Sequence, residues 1–140
     1  MYKYDIIFSA HDSKKMELAE IIRKYRQGLS AFSVAATAST AQYIRQTTLL
    51  SVGLLNDGAS GGYLQIAKLV EKEDVRMVVF LFDPASMHLD ELGVKILLKS
   101  CAVSNIPLAN NKTTAEFILE RFFEKQLVIQ SRYPEMAVVN

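Results

Sequence analysis

Leu55-Asn56-Asp57-Gly58-Ala59-Ser60-Gly61-Gly62-Tyr63-Leu64-Gln65 carries an apolar run into a glycine-rich loop and out again into a helical pattern. Four of the six glycines of the chain fall between Gly53 and Gly62. Glycine reaches positive φ at little cost and lets a ligand approach backbone N–H groups, so glycines between a strand and a helix suit a small anion. A wide turn that binds nothing fits the same residues. Neither G-x-G-x-x-G nor G-x-x-x-x-G-K-[ST] is present, so the loop by itself specifies neither a dinucleotide nor a nucleotide triphosphate.

The same strand-to-helix alternation runs outward from this loop in both directions. Upstream, Ile6 to Ala10 reads as a short buried strand ending at the polar corner His11-Asp12-Ser13. Leu18, Ile21, Ile22 and Tyr25 then give a helix from about Lys14 to Arg26, closed by Gly28. Phe32 to Ala36 is a second strand, Thr37 to Ala41 a hydroxyl-rich turn into a helix through Ile44, and Leu49 to Leu55 a third strand. Downstream, Ile66, Leu69 and Val70 mark a short helix whose charged end, Glu71 to Asp74, is expected in solvent.

Met77 to Phe82 is unbroken apolar, the pattern of a strand covered on both faces, and it stops at Asp83-Pro84. A loop through His88 and Asp90 leads to a helix carrying Val94, Ile96, Leu97 and Cys101, and Ile106 to Ala109 makes a fifth strand. Thr113 and Glu116 stand in capping-box spacing before a last helix with Ala115, Ile118, Leu119 and Phe122 on one face. The tail from Leu127 to Asn140 is expected to pack as an extended segment or to cover a neighbour, with Met136 to Val139 apolar. Five strands alternating with helices predict an α/β fold: one doubly wound, three-layer domain over residues 1–140 with a five-stranded parallel sheet.

Composition narrows the partners. The chain has 140 residues, half of them apolar, and 16 Lys+Arg against 15 Asp+Glu give a formal charge of +1. That leaves no global field for nucleic acid or an anionic membrane. No run approaches a membrane span, and the residues after Met1 lack the long apolar core of a signal peptide. The single cysteine, Cys101, builds no intrachain disulfide, so a reducing, cytoplasmic setting is expected. His11 and His88 are too few for a metal site.

In an open α/β sheet, ligands sit beyond the carboxyl ends of the strands, at the switch in strand order. There strand one delivers His11, Asp12 and Lys15, strand two Thr37, Ser39 and Thr40, strand three Asp57, Gly58, Gly61 and Gly62, and strand four Asp83, with His88 and Asp90 beyond. A lysine, three hydroxyls and backbone N–H groups at helix starts are what a phosphate monoester needs. Each has a structural alternative: Asp12 as a cap, Thr37 and Ser39 as turn residues, Lys15 as a solvated charge.

The blocks Ala10-His11-Asp12-Ser13-Lys14-Lys15, Ala36-Thr37-Ala38-Ser39-Thr40, Gly58-Ala59-Ser60-Gly61-Gly62-Tyr63-Leu64-Gln65, Phe82-Asp83-Pro84, Val94 to Leu98 and Asn105 to Asn111 resemble, in order, those of the methylglyoxal synthase family. The resemblance covers about residues 4–123. It implies a five-stranded parallel sheet, a homo-hexamer, and conversion of dihydroxyacetone phosphate to methylglyoxal and phosphate, with no cofactor or metal. The wider superfamily also includes regulatory domains that bind small effectors without chemistry, such as that of carbamoyl phosphate synthetase.

By position, the resemblance implies that Lys15, Thr37, Thr40 and Gly58 hold the substrate phosphate, with Ser39 at a further threonine position, and that Asp12 and Asp83 are active-site carboxylates. The departures concern the chemistry. The family's base, an aspartate after Gly-Gly, is Tyr63 here; its histidine aligns with Asp90, with His88 two residues earlier; a further aspartate falls at Gly93, and a glycine at Ala38. A neutral phenol, with a pKa near ~10, is a poor base at pH 7. Three readings stay open: a lyase of the methylglyoxal synthase type that uses Asp12 or Asp83, a non-catalytic module that binds a small phosphorylated metabolite, and a related reaction on another phosphate ester.

Overall fold

The computed structural model describes residues 2–86 and 92–132, with backbone alone over 125–132. Its centre is β1 (Tyr4–Ala10), flanked by β2 (Val34–Thr37) and β4 (Val75–Leu81); β3 (Gly53–Leu55) and β5 (Leu108–Ala109) form the edges. The order is β3-β2-β1-β4-β5 and every neighbouring pair is parallel, with Phe8 in register with Ala36 and Val79. The α/β fold with a five-stranded parallel sheet is therefore the one expected from the alternation of elements.

Period-two alternation sends the strand residues to two separate cores. Ile6, Phe8, Ala36 and Val79 face a layer made by α1 (Lys15–Leu29), α2 (Ala38–Thr48) and α5 (Lys112–Arg132), through residues such as Leu18, Ile22, Ile44 and Leu119. Ile7, Ala35, Val78 and Phe80 face α3 (Gly62–Glu71) and α4 (Leu92–Val103), through Ile66, Val70, Val94 and Leu97. These side chains are almost wholly buried, each stabilising the fold by about 1.5–3 kcal/mol relative to exposure. Covering on both faces explains the unbroken apolar run of β4. Cys101 is buried in the second core, and burial pushes its thiol up to about 11, so it stays protonated and unreactive at neutral pH.

Several boundaries differ from expectation. Gly28 does not close α1: the helix continues to Leu29, and Gly28 sits under Phe123, where an added Cβ would lie 3.0 Å from the ring. β3 is three residues long rather than seven, because Leu49 takes a left-handed φ of 60° that ends α2, and Leu50 and Val52 are buried in a connecting segment. α5 is capped by Asn111, whose Oδ1 accepts from the Thr114 N–H at 2.9 Å, two positions before the expected cap at Thr113. Leu127 to Arg132 continue α5 and are not extended. Met136 to Val139, like His88 and Asp90, lie outside the described residues. The charged end of α3 is largely exposed as expected, terminating at Glu73 with φ 59° and the Asp74 N–H bonded to the Leu69 carbonyl at 2.9 Å. Among the described residues no helix is long and apolar enough to cross a membrane.

Topology fixes where a ligand belongs. The chain leaves β1 for β2 and β3 on one side, then returns to the other side for β4 and β5. The switch falls at the carboxyl ends of β1, β2 and β4.

Candidate phosphate-binding site

A cleft of about 650 Å³ opens at that switch. The residues after β1 form one wall, from His11 to Lys15; Thr37 and Ser39 come from the start of α2; Asp57 to Ser60 come from the glycine loop; Tyr63 and Asp83 close the remaining sides. Nine of the sequence-predicted residues thus share one cleft: His11, Asp12, Lys15, Thr37, Ser39, Asp57, Gly58, Tyr63 and Asp83. Thr40, Gly61 and Gly62 do not line it. His88 and Asp90 lie outside the described residues.

Thr40 lies beneath the cleft and is 1% exposed. Its Oγ1 accepts from the Ala10 N–H at 3.2 Å and from Thr37 Oγ1 at 3.2 Å, and donates to the Ala10 carbonyl at 3.4 Å. Thr37 Oγ1 also pairs with Ser9 Oγ at 2.9 Å. Since the single hydroxyl proton of Thr37 points to Thr40, Ser9 is the donor of that pair. This buried chain of hydroxyls ties the end of β1 to the start of α2 and satisfies polar groups that water does not reach. Thr40 is thus bonded to Thr37 and to the Ala10 backbone below the cleft.

The cationic element is Lys15, 8% exposed, at the first turn of α1. Its Nζ pairs with Asp12 Oδ1, and the Asp12 side chain is 96% exposed. The lysine hydrogen bond and charge hold the Asp12 carboxyl below its ordinary range. Asp83 is lowered as well, first by the Ala85 N–H at 2.9 Å and then by Ser13 Oγ at 3.0 Å. Both carboxylates are ionised at neutral pH. His11 accepts the Asp83 N–H on Nδ1 at 2.9 Å, which places the proton of the neutral ring on Nε2, and it meets Phe80 edge-on at 5.5 Å.

The glycine loop is shaped by backbone crowding. The Asp57 carbonyl accepts from the Ser60 N–H at 2.9 Å and the Gly62 N–H at 2.8 Å, and Gly61 turns the chain at φ 91°. A Cβ at Gly62 would lie 2.3 Å from the Asn56 carbonyl oxygen. The Asp57 side chain reaches across to α2, where Oδ1 accepts the Ser39 N–H at 2.9 Å. That contact joins residues 18 apart and was not legible in the sequence, which placed Asp57 at the strand end without assigning it a partner.

Tyr63 begins α3 and is 6% exposed. Its ring stacks, tilted, on Phe80 at 5.1 Å and covers Gly58, where a Cβ would lie 2.2 Å from Cζ. A Cβ on Gly93 would lie 3.4 Å from the Cβ of Tyr63. Two positions at which the sequence departs from the resembling family are thus in contact. Among the described residues no group of three or more His, Cys, Asp or Glu side chains is gathered to hold a metal ion.

Comparison with known proteins places this arrangement in context. A family model described as "MGS-like domain" matches residues 17–110. Methylglyoxal synthase of Natranaerobius thermophilus is 38% identical over 115 residues, 82% of this chain and 96% of that protein. The methylglyoxal synthase of Lysinibacillus sphaericus is 34% identical over 131 residues, 91% of this chain and 98% of that protein. The crystal structure of methylglyoxal synthase from Elizabethkingia anophelis superposes with a TM-score of 0.74 at 28% identity, covering 83% of this chain and 76% of that one. Sequence along most of its length and the order of its five parallel strands lead to one assignment: the chain belongs to the methylglyoxal synthase-like family.

Proposed function

We propose that the cleft binds a small phosphorylated ligand, with dihydroxyacetone phosphate the first candidate, and that conversion to methylglyoxal and phosphate is slow because the position of the family's base is Tyr63. Lys15 is the observation that carries the binding half. A largely buried ammonium needs a counter-charge, and its present partner is an exposed, displaceable carboxylate, so an incoming phosphate can take that place. Thr37 and the first N–H groups of α2 stand beside it.

The chemical half requires a group that removes a proton beside the ketone, giving an enediolate that expels phosphate. Asp12 and Asp83 are ionised, but hydrogen bonds and Lys15 have lowered their basicity, and basicity is what proton abstraction uses. The buried ring of Tyr63 favours the alternative in which the ligand is held without being transformed. Either activity fits a cytoplasmic protein that needs no cofactor or metal.

Inorganic phosphate is expected to raise Tm, by about 1.4 kcal/mol of stability at a tenfold excess over Kd. Lys15→Ala should remove most of that shift. Thermal melts of wild type with millimolar phosphate and dihydroxyacetone phosphate check this, and an unchanged Tm with both ligands would sink the binding reading.

Assembly as a homo-hexamer belongs to the same proposal and rests on the family resemblance. Light scattering at micromolar concentration should report about six chains; a clean monomer would reject it.

A further inference from the structure

The donors that a phosphate would use at the start of α2 are already engaged by the protein. Thr37 stands at the N-cap position of that helix, yet its hydroxyl is turned inward to Thr40. The capping is done from another element. Asp57, on the glycine loop, places Oδ1 2.9 Å from the Ser39 N–H, at the second residue of α2. A carboxylate here satisfies an orphan N–H and the positive end of the helix dipole, the same two features that draw a phosphate.

Asp57 is well placed for this. Its own backbone is pinned by the Ser60 and Gly62 N–H groups, while its residue as a whole is exposed on the cleft, so the side chain can swing without disturbing the loop. It also sets the charge of the site. Among the described residues three carboxylates line the cleft, Asp12, Asp57 and Asp83, against the one ammonium of Lys15. Asp12 is already matched to Lys15 and Asp83 to Ser13 and Ala85. Asp57 is the one that sits on the helix terminus.

We propose that Asp57 is a specificity-determining residue: an internal carboxylate that occupies the anion position at the N-terminus of α2, and that a phosphoryl group must displace in order to bind. The inference rests on the phosphate reading of the cleft. It adds that wild-type affinity for phosphate is set by this competition. The helix terminus accepts one anion at a time, and a dianionic phosphate beside an ionised Asp57 is repelled.

Calorimetric titration of inorganic phosphate into wild type, Asp57→Asn and Asp57→Ala tests this. Asparagine keeps an oxygen for the Ser39 N–H and removes the charge; alanine removes both. Each variant is expected to bind phosphate more tightly than wild type, by ~10-fold for removal of one negative charge beside a dianion, and Lys15→Ala added to either variant should abolish the gain. A residue that merely braces the loop would lower Tm on substitution without tightening any ligand. If wild type binds phosphate and both variants bind no more tightly, the competition is refuted while the phosphate site stands. If neither wild type nor Asp57→Asn binds phosphate, the reading of the cleft itself fails. Should Asp57→Ala not fold, Asp57→Asn alone decides.

Discussion

Tyr63→Asp is expected to raise methylglyoxal formation from dihydroxyacetone phosphate by ~10²-fold, the lower end of what a positioned general base contributes. The lower end applies because Gly93 and Asp90 also stand where the resembling family has other groups. The same substitution is expected to destabilise the fold by about 3 kcal/mol or more, since it removes a buried aromatic side chain and leaves a carboxylate in its place. Phe80 loses one of its ring partners, at 5.1 Å, and the face of Gly58 is uncovered. Tyr63→Ala serves as the control: it opens the same space without supplying a base, and it should not raise the rate. Initial rates under identical conditions, on protein shown by circular dichroism to be folded, compare the three. Robust wild-type turnover that Tyr63→Asp destroys would assign the phenol to the mechanism and overturn the picture of a weakened active site.

Gly62→Ala is expected to cost about 4 kcal/mol or more and to empty the cleft of bound phosphate. A Cβ at this position would fall 2.3 Å from the Asn56 carbonyl oxygen, 2.6 Å from that of Asp57 and 2.8 Å from the Asp57 carbonyl carbon. All three are backbone atoms, so no rotamer change relieves the clash. The Gly62 N–H also closes the turn on the Asp57 carbonyl, so relaxation would break the bond that pins the loop. Two neighbours calibrate the prediction. Gly58→Ala meets the ring of Tyr63, which can shift only by disturbing the second core. Gly61→Ala faces open space and suffers only a positive φ, worth about 1–2 kcal/mol. Denaturant melts should therefore rank Gly62→Ala as the most damaging and Gly61→Ala as the mildest; an equal loss at all three would mean that crowding does not govern this loop.

The sheet was legible because its signal is physical and local. A strand covered on both faces must be apolar, as Met77 to Leu81 is, and a helix packed on one face must repeat as Leu18, Ile21 and Ile22 do. The residues around the cleft were legible because topology sends the ends of β1, β2, β3 and β4 to one place. What escaped the sequence depended on distant partners. Gly28 reads as a stop signal, yet it stays helical because Phe123 occupies the space where a side chain would be. Leu50 and Val52 read as strand because they are buried, though a buried connecting segment is equally apolar. Thr40 shares a spacing with the cleft residues but faces the Ala10 backbone. The carboxylate of Asp57 found its N–H across a gap that no local pattern reports.

The contacts of Tyr63 also constrain how this protein can change. With the ring in place, position 58 admits only glycine, whereas a Cβ at position 93 would rest in ordinary van der Waals contact with the Tyr63 Cβ at 3.4 Å. A carboxylate gained at position 93 would stand beside the Tyr63 side chain; one gained at position 63 would leave a void beside Phe80 and uncover position 58. The step at position 63 trades stability for a carboxylate, and because positions 58 and 93 both touch Tyr63, substitutions at the three are not expected to add. The coupling runs one way: Tyr63 holds position 58 to glycine, so a side chain can be gained at position 58 only after the ring has gone.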